Sequence, residues 1–226
     1  MWLNHEQTSN SSIRAYREFL LNSCPNHLVI DKLFNEDQLD AVVKILQQEH
    51  YWKSQRHSYS SLYVDQDEWQ KTSYDQRFVQ RDQWQGKTLK PSLAQDFLSF
   101  LRGGEFMSFL SGIFNVHLTD KTVADPEINT NYFRLGPDDF VEQHADDSPG
   151  REVCMLLYLN KRWNDHPGGE LTFKSSGHDP LKISPLYNRC ILFDPSSKGS
   201  EHWVEKFKAN HLVQYRYNVT SWYWSE

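Results

Sequence analysis

Two histidines, one aspartate and one arginine in the second half of this 226-residue chain have the types and spacing for metal chemistry. His144 and Asp146 stand two apart, so on a strand both side chains leave the same face and reach toward one ion. His202 comes from a separate segment, Ser200-Glu-His202-Trp-Val204, just after the turn-rich Asp194–Gly199. Two imidazoles and one carboxylate can take one face of an Fe(II) octahedron and leave the other positions open. Arg216 and Thr220 lie in the closing run Arg216-Tyr-Asn-Val-Thr220-Ser-Trp222-Tyr-Trp224, where Arg216, Asn218, Thr220 and Trp222 alternate onto one face. An inward-facing arginine needs an anion, because burying its charge unpaired is costly, and its planar fork suits a carboxylate. An open metal site beside such an arginine is the skeleton of an oxygen-activating hydroxylase. The competing readings are ordinary ones. A lone strand histidine is more often hydrogen-bonded or exposed than a ligand, and Arg216 could serve a structural ion pair with one of the many acidic residues.

The elements that must position these residues change character along the chain. Ile13, Tyr16, Phe19 and Leu20 recur three and four apart and predict a helix over residues 11–23. His27–Ile30 reads as a short strand. Asn35 caps a second helix, with acidic residues in its first turn and a stripe through Val42, Val43, Ile45 and Leu46. Residues 50–90 are polar and aromatic with weak periodicity, and read as long loops with short strands and a lid candidate carrying Trp52, Tyr59, Tyr63, Trp69, Tyr74 and Trp84. Leu93–Leu110 is helical again, broken near Gly103-Gly104.

After about residue 126 short apolar or alternating runs recur between turn residues: 129–135, 140–145, 153–159, 170–174, 181–184, 189–193, 202–204 and 212–224. Eight such strands without intervening helices predict a jelly roll or double-stranded β-helix and disfavour βαβ units. The expected architecture is mainly β with α: one domain over 1–226, with 1–125 as helical support and lid candidate and 126–226 as the double-stranded β-helix core.

Composition narrows the partners. A net charge of −6 and pI near 5.9, without a basic block, argue against nucleic-acid binding by bulk electrostatics. No secretory leader pattern opens the chain, and no run approaches the roughly 20 apolar residues of a membrane helix. Cys24, Cys154 and Cys190 are far apart and lack CxxC spacing, which argues against a disulfide framework or structural zinc and makes reducing cytoplasm the expected compartment. The oligomeric state is left open.

Four stretches together resemble the iron(II)/2-oxoglutarate-dependent dioxygenases, specifically the prolyl-hydroxylase-like branch. They are Phe140-Val-Glu-Gln-His144-Ala-Asp146; Leu156-Leu-Tyr158-Leu-Asn160 with Trp163 and Gly168-Gly-Glu170-Leu171; Asn188-Arg-Cys-Ile-Leu-Phe193-Asp leading to His202-Trp-Val; and the closing run from Arg216. Their order and rough spacing agree over about residues 130–226, and His27-Leu-Val-Ile-Asp31-Lys-Leu-Phe with the helix after it is more loosely similar to the family's opening segment.

The resemblance implies Fe(II) held by His144, Asp146 and His202, with 2-oxoglutarate and O2 as co-substrates. It places Arg216 on the distal carboxylate of 2-oxoglutarate, assisted by the Tyr158 hydroxyl, with Thr220 nearby. Oxidative decarboxylation would release succinate and CO2 and hydroxylate a C–H bond, foremost that of a prolyl residue in a protein or peptide. A small-molecule or free amino acid hydroxylase of the same family is the alternative, and a cupin-like metal-binding module is a further one. Two departures stand out. The segment between His202 and Arg216 is long and contains His211, whose spacing to Arg216 is too short for the distal ligand. The family's co-substrate tyrosine ahead of the first metal motif has three claimants here, Tyr132, Phe133 and Arg134, and Tyr132 is assigned to it. Asp147 would point away from the metal.

Overall fold

The structure, a computed structural model, describes residues 1–86, 91–163, 167–177, 179–210 and 213–225. Its helices are α1 (Asn10–Asn22), α2 (Glu36–Leu46), α3 (Gln66–Lys71), α4 (Leu93–Leu101) and α5 (Gly104–Phe114). The Asn35 side chain accepts the Gln38 amide and starts α2, with Glu36 and Asp37 in the favourable first turn. The break expected at Gly103-Gly104 is present: Gly103 is extended, and α5 begins at the next residue.

The strands are β1 (His27–Asp31), β2 (Trp52–Ser58), β3 (Arg77–Trp84), β4 (Leu118–Thr119), β5 (Thr130–Leu135), β6 (Phe140–His144), β7 (Arg151–Tyr158), β8 (Leu171–Phe173), β9 (Leu181–Ile183), β10 (Arg189–Phe193), β11 (His202–Val204) and β12 (Arg216–Ser225). The runs expected in the second half correspond to β5 through β12. All pairings are antiparallel, in the order β1-β10-β7-β12-β5-β3-β6-β11-β8-β9, with β2 beside β3 and β4 beside β12. This curled sheet is a double-stranded β-helix.

Residues 50–90 depart from the loop expectation over their described part. β2 and β3 are seven and eight residues long, and β3 joins the two halves of the sheet by pairing Gln83 with Phe133 and Val79 with Val141. Their alternation is invisible in the sequence because Gln55, Gln80, Arg81, Asp82 and Gln83 put polar groups on both faces. The connection between them carries α3. Of the aromatic residues in this region, Trp84 joins the core under the helices and Trp52 packs against it, Trp69 stacks on Phe140, and Tyr63 lines a cavity that also contains His144.

Alternation along β7 and β12 explains the two cores. Val153, Met155, Leu157, Val219 and Tyr223 face the helices and pack with Val42, Phe97, Leu101 and Leu110. Cys154, Leu156 and Tyr158 face inward with Phe173, Ile191 and Phe193. Both faces are covered, and each fully buried large apolar side chain contributes about 1.5–3 kcal/mol. That burial fixes which residues of β12 can point into the barrel. Among the described residues no helix is long and apolar enough to cross a membrane.

Candidate metal and co-substrate site

β6 ends at His144, and Asp146 follows in the irregular segment just beyond the strand. His202 opens β11, and the ladder places it directly opposite His144. Their rings lie 4.4 Å apart by centroid. His144 Nε2 is 3.8 Å from Asp146 Oδ1, and His202 Nε2 is 3.8 Å from Oδ2. The three ligand atoms all lie within 4.8 Å of one another, a spacing one ion can bridge.

Backbone carbonyls set the tautomers. His144 Nδ1 donates to the Glu142 carbonyl at 2.9 Å, and His202 Nδ1 donates to the Ser200 carbonyl at 3.0 Å. Each ring therefore turns an Nε2 lone pair toward the carboxylate, as a metal ligand must. Burial, followed by the neighbouring His144, pushes His202 down to about 4, so it is neutral at pH 7. Burial opposes the Asp146 charge, but His144, His202, the Trp222 indole and Arg151 outweigh it and hold the carboxyl below its ordinary range. Two imidazoles that each turn Nε2 toward the cluster, with one ionised carboxylate, fit Fe(II).

Arg216 lies at the start of β12 and is 1% exposed. Its Nε donates to the Gly169 carbonyl at 2.8 Å, one terminal nitrogen to Asn218 Oδ1 at 3.1 Å, and the other to the Tyr158 hydroxyl at 3.2 Å. All three acceptors are neutral, and the structure gives Arg216 no ion pair among the described residues. The alternative of a structural salt bridge therefore lacks its partner, and the site carries a buried charge that suits an incoming carboxylate. Tyr158 accepts from Arg216, which leaves its O–H to donate. Thr220 likewise accepts from Asn218 Nδ2 at 2.9 Å, which leaves its own O–H free to donate. Gly168 and Gly169, both at positive φ, make the turn that aims the Gly169 carbonyl. A Cβ at Gly168 would meet the Lys206 carbonyl at 2.2 Å.

Sequence reasoning missed Trp222, Arg151 and Arg81 as parts of the site. Trp222 Nε1 donates to Asp146 Oδ2 at 2.8 Å, and the alternation of β12 already placed that ring on the inward face. Arg151 approaches Asp146 Oδ1 at 3.6 Å. Arg81 has no local sequence signal, since only topology brings β3 here. These three line a cavity of about 260 Å³ together with His144, Asp146 and Phe133. A larger surface pocket of about 570 Å³, bordered by Asn160, Lys161 and Tyr215, holds none of the candidate site residues.

One assignment is overturned. Tyr132 points away from the barrel interior: it pairs with Val219, its hydroxyl donates to the Ala94 carbonyl at 2.8 Å, and its ring packs edge-on against Trp84. The inward position beside Asn218 is Phe133. The register is unreadable from sequence because every residue of β5 is buried, so neither face shows a polar alternation. Asp147 is exposed, as expected. His211 lies outside the described residues.

A family model described as the 2OG-Fe(II) oxygenase superfamily matches residues 130–224, the stretch that contains all these ligands. No curated protein matches the chain by sequence. Similar solved structures include a prolyl hydroxylase from Trichoplax adhaerens in complex with a hypoxia inducible factor oxygen degradation domain peptide fragment (TM-score 0.69, 19% identity, 97% of this chain and 92% of that one). Others are a prolyl-4-hydroxylase from Pseudomonas putida (0.58, 14%, 95% and 99%) and a 2OG-Fe(II) oxygenase family oxidoreductase from Burkholderia pseudomallei (0.61, 15%, 94% and 90%). At these identities the structural likeness speaks for the fold.

Proposed function

We propose that this chain, a member of the 2OG-Fe(II) oxygenase superfamily through residues 130–224, hydroxylates a prolyl residue in a protein or peptide. 2-Oxoglutarate, O2 and the C–H bond become succinate, CO2 and the C–OH product. The observation that carries the reading is the pairing of a His144–Asp146–His202 cluster with Arg216, a buried guanidinium whose hydrogen-bond acceptors among the described residues are all neutral. A binding module has no need of both. The prolyl choice is supported by the Trichoplax adhaerens prolyl hydroxylase, whose partner is a peptide.

In this reading His144 and His202 bind Fe(II) through Nε2 and Asp146 binds through its carboxylate. Fe(II) supplies the redox chemistry that couples decarboxylation of 2-oxoglutarate to hydroxylation. The chain supplies position. Arg216 takes the distal carboxylate in its planar fork, and the O–H groups of Tyr158 and Thr220 add donors to it. Phe173 and Phe193 pack against His202 and keep water from its inner side. Trp222 fixes the Asp146 carboxylate so that its geometry is set before the ion arrives. The three free cysteines, two of them buried, support a reducing compartment.

The test is anaerobic calorimetry of 2-oxoglutarate binding with Mn(II) in place of Fe(II), on the parent protein, His144→Ala and Arg216→Ala. Metal-dependent binding that is lost in both variants is the expected result. Absence of binding with metal present overturns the oxygenase reading, and full binding by Arg216→Ala moves the protein toward a cupin-like metal site.

A further inference from the structure

Arg81 stands in the middle of β3, outside the networks that hold the metal ligands and Arg216. It faces Gln55 across the β2–β3 ladder, and Gln83, two residues on, faces Phe133 of β5. These four residues therefore share the inward face. The Arg81 guanidinium carbon sits 3.5 Å from the centre of the Phe133 ring. Its Nε donates to Gln55 Oε1 at 2.8 Å, and Gln55 Nε2 donates to Gln83 Oε1 at 3.3 Å. A row of two amides thus props the guanidinium against the aromatic ring.

The two terminal nitrogens are unengaged. Among the described residues the structure gives them no hydrogen-bond acceptor and Arg81 no ion pair, yet the residue lines the same cavity as His144, Asp146 and Trp222. Burial pulls Arg81 down to about 10, which leaves it protonated at neutral pH, and the Asp146 charge is the first influence holding that proton in place.

Under the oxygenase reading, the other charges around Arg81 are answered. Asp146 is engaged by the metal, one carboxylate of 2-oxoglutarate by the metal, and the other by Arg216. Arg81 then meets the primary substrate with a positive charge that no carboxylate among the described residues pairs with. A part-buried guanidinium pre-set by hydrogen bonds selects a planar anion that can accept two parallel N–H bonds.

Resting on that oxygenase reading, we infer that Arg81 is the anion-binding residue of the substrate cavity, and that the carbon to be hydroxylated lies close to a carboxylate. The carboxylate belongs either to the prolyl unit itself, as in a free or C-terminal proline, or to an acidic neighbour in a peptide.

The experiment uses the full chain loaded anaerobically with Mn(II) and 2-oxoglutarate, and follows the proton relaxation that Mn(II) induces in added probes. N-acetyl-L-proline is compared with N-acetyl-L-prolinamide, and N-acetyl-prolyl-aspartyl amide with its asparaginyl counterpart. In the parent protein at least one carboxylate probe is expected to bind about tenfold or more tighter than its amide twin. Arg81→Gln should shrink that preference to less than about twofold, Arg81→Lys should restore part of it, and 2-oxoglutarate affinity should be kept in both. The winning pair tells a terminal carboxylate from an acidic side chain. Equal binding of acid and amide, or no saturable binding of any carboxylate probe while 2-oxoglutarate still binds, overturns the inference and leaves the oxygenase reading intact. A loss of 2-oxoglutarate binding in Arg81→Gln as large as that in Arg216→Ala also overturns it, making Arg81 a co-substrate residue. Failure of the parent protein to bind 2-oxoglutarate strikes the oxygenase reading instead.

Discussion

Trp222 donates its indole N–H to Asp146 Oδ2 at 2.8 Å, from a strand that does not itself contribute a metal ligand. The same strand carries Arg216, Asn218 and Thr220 on the same face, so β12 touches both the carboxylate of the metal cluster and the co-substrate end. Trp222→Phe keeps most of the ring volume and removes the donor. Mn(II) affinity measured by calorimetry is expected to fall about 10-fold to 100-fold, with an unchanged far-ultraviolet circular dichroism spectrum. Unchanged affinity would mean that Asp146 is oriented by the backbone alone.

Tyr158 and Thr220 each accept one hydrogen bond and keep one O–H to give. Tyr158→Phe and Thr220→Val should each weaken 2-oxoglutarate binding about threefold to tenfold, the worth of a single hydrogen bond, with metal affinity retained. Because the two hydroxyls approach one ligand, the double variant need not show the product of the single effects. Titration of 2-oxoglutarate into all three Mn(II)-loaded proteins decides the point.

Tyr132 separates structure from chemistry. Its hydroxyl satisfies the Ala94 carbonyl inside the helix-facing core. Tyr132→Phe leaves that carbonyl without its tyrosine partner and should lower stability by about 1–3 kcal/mol, read as a lower urea midpoint. Its affinity for 2-oxoglutarate should equal that of the parent. A selective loss of co-substrate binding would return Tyr132 to the site.

Acid should destabilise the metal-free protein through two histidines. Burial is the leading cause that holds both His57 and His202 at about 4, below the ordinary histidine value of 6.5. Between those values the unfolded chain binds more protons than the folded one, so stability is fully present above about pH 6.5 and is lost as pH falls toward 4. His57 lies on the cavity wall. His57→Gln should flatten the loss, seen as a smaller drop in urea midpoint between pH 7 and pH 4.5. An identical pH slope in the variant would show that His57 is not one of the groups responsible.

What can be read from residues alone depends on the contrast between the two faces of each element. On β12, Arg216, Asn218 and Thr220 alternate with Tyr217 and Val219, so the inward face announces itself. His144 and Asp146 are legible because their two-residue spacing still brings both side chains to one cluster although the strand ends at His144. β5 offers no contrast, since Asn131, Tyr132, Phe133 and Arg134 are all buried, and its inward aromatic cannot be told from its outward one. β3 is obscure for the opposite reason: its inward face meets a polar cavity, so Arg81 and Gln83 look like surface residues. Arg81 reaches the site through strand order, with Val79 opposite Val141 and Gln83 opposite Phe133, and no spacing within the sequence encodes that.

Because β3 is laddered to β5 on one end and to β6 on the other, the wall that would recognise the substrate is continuous with the strand that ends in His144. Its amides should exchange with deuterium as slowly as those of the barrel. The connection between β2 and β3 borders the same cavity, with Leu62 and Tyr63 each 61% exposed there. A substitution on β3 would then change which substrate the cavity takes, and one at Leu62 or Tyr63 how its border meets solvent, so the two could be altered independently.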